Sequence, residues 1–339
     1  MALWSAEIDR LRPLIRAEGR AMTEAMSPAF SAVFPHGTAG SYDAEALADL
    51  RRQLSAPGQQ QAVDRHVEGP RGPIRLRTFV PARPARAVLL NIHGGGFIMG
   101  APEMNDGLNA FLSQTLDLVV VSVDYRLAPE HRYPAAHDDC ETAAAWLIDH
   151  AGTEFGTTRL LINGESAGAN LAAATLLRLR RRGHGGRFSA AALEFGVYDL
   201  SGTPSAQEET DHDVLTATVL RGMMDLAHPD LSPAQRRDPD LSPLHADLTG
   251  LPPVLFGVGT ADHLVDDTLF LERRWDLANR NTTLLVYPDA PHGGTGLPSV
   301  LPHWQPALLD FLDTHLSGEQ QPDTQEAGGG RTDTRGARP

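Results

Sequence analysis

The sequence predicts an α/β protein built on a mostly parallel eight-stranded sheet with helices on both faces. Three observations carry that expectation. Short apolar runs rich in Val and Leu, such as residues 117–125 (DLVVVSVDY), alternate with segments of helical spacing. The runs are almost continuously apolar, as strands covered on both faces must be. Glycines cluster just behind two of the runs, where a chain turns from strand into helix.

The elements follow in order. Residues 1–55 read as amphipathic helical segments, broken around Ser27–Pro28 and again between Pro35 and Gly40. From Ala62, AVDRHVEG and PIRLRTFVP read as short strands joined by a Gly/Pro turn. The runs at 87–94, 117–125, 159–164 and 190–196 then alternate with helices. One of these carries Leu108, Phe111 and Leu112, the next Cys140, and a third starts after Ser166. Residues 201–245 break the rhythm: they are polar and Pro-rich, with an apolar helical piece, DVLTATVLRGMMDLA, inside. Strand runs return at 252–259 and 283–288, each followed by a helix, one through Leu269 and Trp275, the other carrying Trp304, Leu308, Phe311 and Leu312. Beyond residue 317 almost nothing apolar remains to bury, so the tail is expected to be disordered.

Composition removes several function classes. The net charge is −14 over 339 residues, opposite to what phosphate backbones attract, so no nucleic-acid partner is expected. Every basic residue is arginine, which excludes a lysine Schiff base and a P-loop lysine. The single cysteine, Cys140, allows no internal disulfide and has the spacing of a core residue. The N-terminus lacks the apolar stretch of a signal peptide, and no run approaches the length of a membrane span. A cytoplasmic protein without a membrane partner is the expectation. The run Arg178, Arg180, Arg181 and Arg182 closes a helix and is read as complementing its dipole while facing water. Fourteen histidines are present, yet no H-x-x-x-H, H-E-x-x-H or Cys pair marks a metal site. Neither metal nor organic cofactor is expected.

The stretch NGESAGANLAAA places Ser166 between Gly164 and Gly168 just where a helix must start. Two readings fit: a nucleophile elbow, whose sharp strand-to-helix turn excludes bulk, or a serine N-cap in an ordinary loop. A nucleophile also needs a base, an orienting acid and donors for an oxyanion. NIHGGGFIMG (91–100) supplies bare backbone amides after a buried strand, without the Lys-Ser/Thr or G-x-G-x-x-G of a phosphate loop.

Taken together, HGGGF, GESAG some 70 residues later, VDYRLAPEHRYPAAHDD between them and DPDLSPLHADLTGLPPVLFGVGTADHLVDD (238–267) resemble the hormone-sensitive-lipase family of α/β-hydrolases. The resemblance covers roughly residues 60–316. It implies an α/β-hydrolase domain over 56–316. A helical cap would come from residues 1–55 and an insertion at about 201–245, with 317–339 as the tail. It implies that Ser166 is the nucleophile, Asp262 the acid and His292 the base, in the chain order of that fold. Amides of Gly95, Gly96 and Ala167 would form the oxyanion hole, with Gly94 shaping the loop, His93 organising it and Glu165 in support. Asp124, Tyr125 and Glu130 would brace the loop from beneath.

Asp266 and Asp267 are rivals for the acid, but one turn further on they suit capping or charging the next helix. His303 and His315 fall in or beside the last helix rather than after a strand, and His263 adjoins Asp262 too closely to be oriented by it. One departure stands out: relatives carry Gly-Phe after the catalytic histidine, whereas here Gly293, Gly294 and Thr295 follow. The implied reaction is hydrolysis of a small or medium acyl ester through an acyl-enzyme, with a small-molecule ester as partner and homo-oligomerisation left open. Dehydration or acyl transfer on the same triad is the alternative, and a non-catalytic receptor a remoter one. Phe30, Phe34, Leu215, Val219 and Met223 either line an acyl pocket or pack the cap onto the core.

Overall fold

Eight strands form one sheet in the order β1-β2-β4-β3-β5-β6-β7-β8. The structure, a computed structural model, describes residues 4–35, 41–56, 62–208 and 214–316. The strands are β1 (Val63–Gly69), β2 (Gly72–Phe79), β3 (Ala87–Ile92), β4 (Leu118–Val123), β5 (Leu160–Glu165), β6 (Phe188–Glu194), β7 (Val254–Gly259) and β8 (Thr282–Tyr287). Strand β2 runs antiparallel to both its neighbours, β1 and β4; every pairing from β4 to β8 is parallel.

Burial on both faces explains the continuous apolar runs. Along β3, Val88, Leu90 and Ile92 enter one core while Ala87 and Leu89 enter the other. In β4, Val119, Val121 and Val123 divide from Leu118 and Val120 in the same way. Three helices, α4 (Ala135–Phe155), α5 (Ala167–Arg181) and α9 (Val265–Asn279), supply Cys140, Leu171 and Trp275 to the first core. The second core receives Leu112 of α3 (Asp106–Leu116) and Trp304 and Leu308 of α10 (Leu301–Leu316). Cys140 is fully buried, as its helical spacing indicated.

The remaining helices are α1 (Ala6–Val33), α2 (Ala44–Leu54), α6 (Pro204–Gln207), α7 (Ala217–Ala227) and α8 (Pro233–Arg236). Helix α1 corrects one expectation: it runs unbroken through Pro28, and through Pro13 as well. A proline costs a helix one amide donor and frees the carbonyl four residues earlier. Here that carbonyl belongs to Glu24, which is exposed, so water can take the lost bond's place. The expected break after Pro35 and the tail from 317 lie outside the described residues.

The arginine run corrects a second expectation. Arg178 is buried rather than facing water. It donates to Asp240 and Asp138, with Glu141 beside it. Arg181 also reaches Asp240, and Arg180 donates to the carbonyls of Asp247 and Thr249. The end of α5 is thus tied to α4 and to the 238–249 segment by buried charge. No described helix is long and apolar enough to cross a membrane.

Candidate active site

The elbow is a backbone crossing. Ser166 lies between β5 and α5 with φ 53° and ψ −121°, a conformation that a non-glycine residue holds only under constraint. Its side chain caps nothing in α5, which removes the N-cap reading. A Cβ on Gly164 would stand 2.3 Å from the Gly168 carbonyl oxygen, and one on Gly168 would stand 2.0 Å from that of Ile92. Both glycines are therefore demanded by the close approach of β5, α5 and the end of β3. The Ser166 amide donates to the Glu194 carbonyl at 2.9 Å, which stitches the turn to β6.

His292 faces this serine. Its Nε2 lies 3.0 Å from Ser166 Oγ, and its Nδ1 lies 3.1 and 3.0 Å from the two oxygens of Asp262. A carboxylate can only accept, so Nδ1 carries the proton and Nε2 presents a lone pair to the hydroxyl. The loops holding Asp262 and His292 are joined directly: the Thr260 amide donates to Tyr287 and the Ala261 amide to Ala290. Gly259 permits this, because a Cβ there would meet the Ala290 oxygen at 1.9 Å. Asp262 is buried and also accepts from the Leu264 amide at 2.8 Å.

The glycine loop follows β3. Gly95 and Gly96 have φ of 118° and 61°, and a Cβ on Gly95 would strike the Met99 carbonyl at 2.1 Å. The amides of Gly95, Gly96 and Ala167 donate to no acceptor among the described residues. Gly94 donates to Glu165 Oε1 at 3.4 Å. Beneath the loop, Tyr125 Oη donates to the carbonyls of His93 and Gly94. The His93 ring stacks on Tyr125 at 4.2 Å, and its Nδ1 lies 2.8 Å from the Gly94 carbonyl, so that nitrogen is the protonated one. Burial holds the imidazole neutral, lowering its pKa to about 4. Glu130 acts further out: it pairs with Arg51, which also donates to the carbonyls of Ile98 and Ala128. Asp124 accepts from Arg75 at 2.8 Å.

The rival residues have other partners. Asp267 accepts from the amides of Tyr198 and Asp199 and the Thr203 hydroxyl, and Asp266 from the Ser205 amide. They anchor the segment after β6 to the start of α9. His263 Nε2 lies 2.9 Å from the Glu208 carbonyl, and His315 binds the carbonyl of Phe311.

Two features escaped the sequence reading. Helix α1 straps the histidine loop: Arg12 and Arg16 both hold Asp289, Glu18 accepts from the Ser299 amide and hydroxyl, and Gly19 sits against Pro291. Glu194, the last residue of β6, brings a second carboxyl beside Glu165, its neighbour in register. Its signal was a lone acid inside the apolar run AAALEFG. Ser166, His292 and Glu194 open into one cavity of about 580 Å³. Met22, Met26 and Phe30 of α1, Leu50 of α2, and Leu215 and Met223 at α7 wall it. Phe34 and Val219 pack elsewhere, Phe34 against Gly222.

Residues 89–295 match the family described as alpha/beta hydrolase fold. The chain belongs to the hormone-sensitive-lipase family of α/β-hydrolases. Within it, the esterase LipI of Mycobacterium tuberculosis is 36% identical over 238 residues, 65% of this chain and 70% of that protein. A solved esterase of Pyrobaculum calidifontis is 30% identical with a TM-score of 0.69, covering 80% of this chain and 90% of its own. A solved hormone-sensitive lipase from a metagenome library is 25% identical with a TM-score of 0.72, covering 88% and 98%. Just past β6, the Phe195 ring stands edge-on to His292 at 4.9 Å.

Proposed function

We propose that this protein hydrolyses carboxylic esters of small or medium acyl groups through an acyl-enzyme on Ser166. The observation that carries this reading is the hydrogen-bonded series Ser166–His292–Asp262 at the wall of an apolar cavity. His292 Nε2 takes the hydroxyl proton as Ser166 Oγ attacks the ester carbonyl, and Asp262 holds the imidazole in the productive tautomer. The amides of Gly95, Gly96 and Ala167, with no acceptor of their own, receive the negative charge on the carbonyl oxygen. His292 then returns the proton to the leaving alcohol, and water repeats the cycle on the acyl-enzyme. No step asks for a group beyond this chain. The relatives named above are called esterases or lipases, which favours water as the acceptor over dehydration or acyl transfer.

The methionine, leucine and phenylalanine walls suit an aliphatic arm. Each methylene buried there contributes about 0.8 kcal/mol, close to a fourfold gain in kcat/KM until the space is filled. The test is a series of p-nitrophenyl esters of rising chain length together with fluorophosphonate labelling. Expected are a rise then a plateau, and one adduct on Ser166. A peptide map without that adduct, or undiminished turnover in a folded Ser166→Ala variant, overturns the reading.

A further inference from the structure

Glu194 has no part in the reaction just described, and it is chemically out of place. It ends a strand whose other residues are almost all apolar, and it is buried. Thr295, the third residue after His292, donates its hydroxyl to Glu194 Oε2 at 2.7 Å. The segment after His292 and the intrusive acid in β6 therefore meet at this bond. Oε1 has no hydrogen-bond partner among the described residues, although the side chain lines the catalytic cavity. A buried carboxyl with one oxygen idle is costly unless something bonds it. The wall is largely apolar, with Trp304 and Leu308 in it, and a substrate oxygen entering the cavity could bond it.

We infer that Glu194 is a specificity-determining residue whose carboxyl hydrogen-bonds an oxygen function on the substrate, so that the enzyme selects esters bearing a hydroxyl, oxo or ether oxygen. This rests on the esterase reading of Ser166. The protonation state sharpens it. Burial raises the Glu194 carboxyl to about 8, the Thr295 bond opposes that rise, and the charge of Glu165 adds to it. Tyr198 and Tyr287 are the other titratable groups facing it, and both stay neutral. Since Oε2 accepts from Thr295, the proton sits on Oε1 and points a donor at the cavity. An ether or oxo oxygen can accept it, and a hydroxyl can accept it or donate once it is lost.

The experiment compares a plain hexanoyl ester with hydroxy- and oxo-hexanoyl esters, the oxygen stepped along the chain. A hexyl acetate and its hydroxylated counterparts probe the alcohol arm. The readout is the ratio of kcat/KM, oxygenated to plain, in the wild type, Glu194→Gln, Glu194→Leu and Thr295→Val. At least one oxygenated ester should be preferred, and Glu194→Leu should lower that ratio by about tenfold to a hundredfold. Glu194→Gln keeps a donor and should retain most of the preference, also at about pH 9, where the wild type loses its donor and its preference for oxo esters. Ratios that are the same in the wild type, Glu194→Leu and Thr295→Val across the whole panel overturn the inference. Should Glu194→Leu not fold, the smaller Glu194→Ala takes its place in the same comparison of ratios. Failure of the esterase reading is separate: it shows as no Ser166 adduct and no turnover of the plain esters.

Discussion

Replacing Gly168 by alanine tests the elbow as a backbone crossing. The added Cβ would lie 2.0 Å from the Ile92 oxygen, 2.5 Å from the His93 oxygen and 2.7 Å from the Ile92 carbonyl carbon. All three are main-chain atoms at the end of a central strand, so no rotamer can relieve the overlap. Helix α5 must instead back away from β3 by roughly 1 Å. Overpacking a core side chain costs about 1–3 kcal/mol, and a clash of backbone with backbone belongs at or above that range, about 3–5 kcal/mol. The displaced groups are Ser166 and the Ala167 amide on one side and the glycine loop on the other. On the proposed mechanism, a misplacement of about 1 Å between Ser166 and these amides is worth about a hundredfold in rate. Gly107→Ala is the control: it sits exposed in α3 with nothing within 4 Å of its Cβ, so alanine should gain up to about 1 kcal/mol. Urea unfolding followed by tryptophan fluorescence measures the first quantity, and kcat/KM on p-nitrophenyl butyrate the second. A Gly168→Ala variant within about 0.5 kcal/mol and threefold of wild type would refute the close-approach argument.

Other expectations can be checked on the same footing. His292→Ala should remove turnover, by about 10⁴-fold or more if the triad acts as a unit, while His303→Ala and His315→Ala keep most of it; steady-state kinetics decide which histidine is the base. Acid should destabilise the fold through His93, His137 and His228, which burial holds at pKa values of about 4, 3 and 4. Above pH 6.5 neither state protonates them; below it the unfolded chain gains protons that the folded chain refuses. Stability therefore falls as pH drops towards about 4, by up to about 1.4 kcal/mol per pH unit for each histidine. Neither ring nitrogen of His137 has a hydrogen-bond partner among the described residues, so His137→Phe orphans none of them and should flatten that slope; an unchanged slope in urea unfolding counts against the assignment. Glu194 works in the opposite sense. Its folded-state proton stabilises below the ordinary glutamate range and that contribution is lost as pH rises towards about 8, so Glu194→Gln should lessen the alkaline decline. Asp289→Ala frees the histidine loop from Arg12 and Arg16 and should lower kcat with fluorophosphonate labelling of Ser166 slowed in proportion.

Much of the architecture was legible because its signals are local in the chain. Strands buried on both faces must be largely apolar, so β3 through β7 stand out in the sequence as runs. Glycines that a crossing demands must be glycines, so Gly164, Gly168, Gly95 and Gly96 mark the loops even before the crossing is seen. The resemblance to the hormone-sensitive-lipase family then points to Ser166, Asp262 and His292, and the structure joins them by hydrogen bonds. Local signals misled where a distant partner reverses their meaning. Pro28 looked like a break because a proline in isolation ends a helix, yet the exposed side of α1 lets water replace the bond. Arg178 looked solvated because a charge at a helix end usually is, yet Asp240, 62 residues away, takes it into the interior.

The sequence by itself determined the parallel sheet and the glycine-flanked turn at Ser166, because each follows from residue type and neighbouring positions, while the resemblance pointed to Asp262 and His292 as its partners. Only the tertiary structure decided what surrounds them. That α1 clamps the histidine loop through Asp289, that Phe195 stands edge-on to His292, and that Glu194 and Thr295 meet inside the cavity all join residues far apart in the chain. Such meetings are set by how the strands are ordered and packed, and no spacing along the chain encodes them.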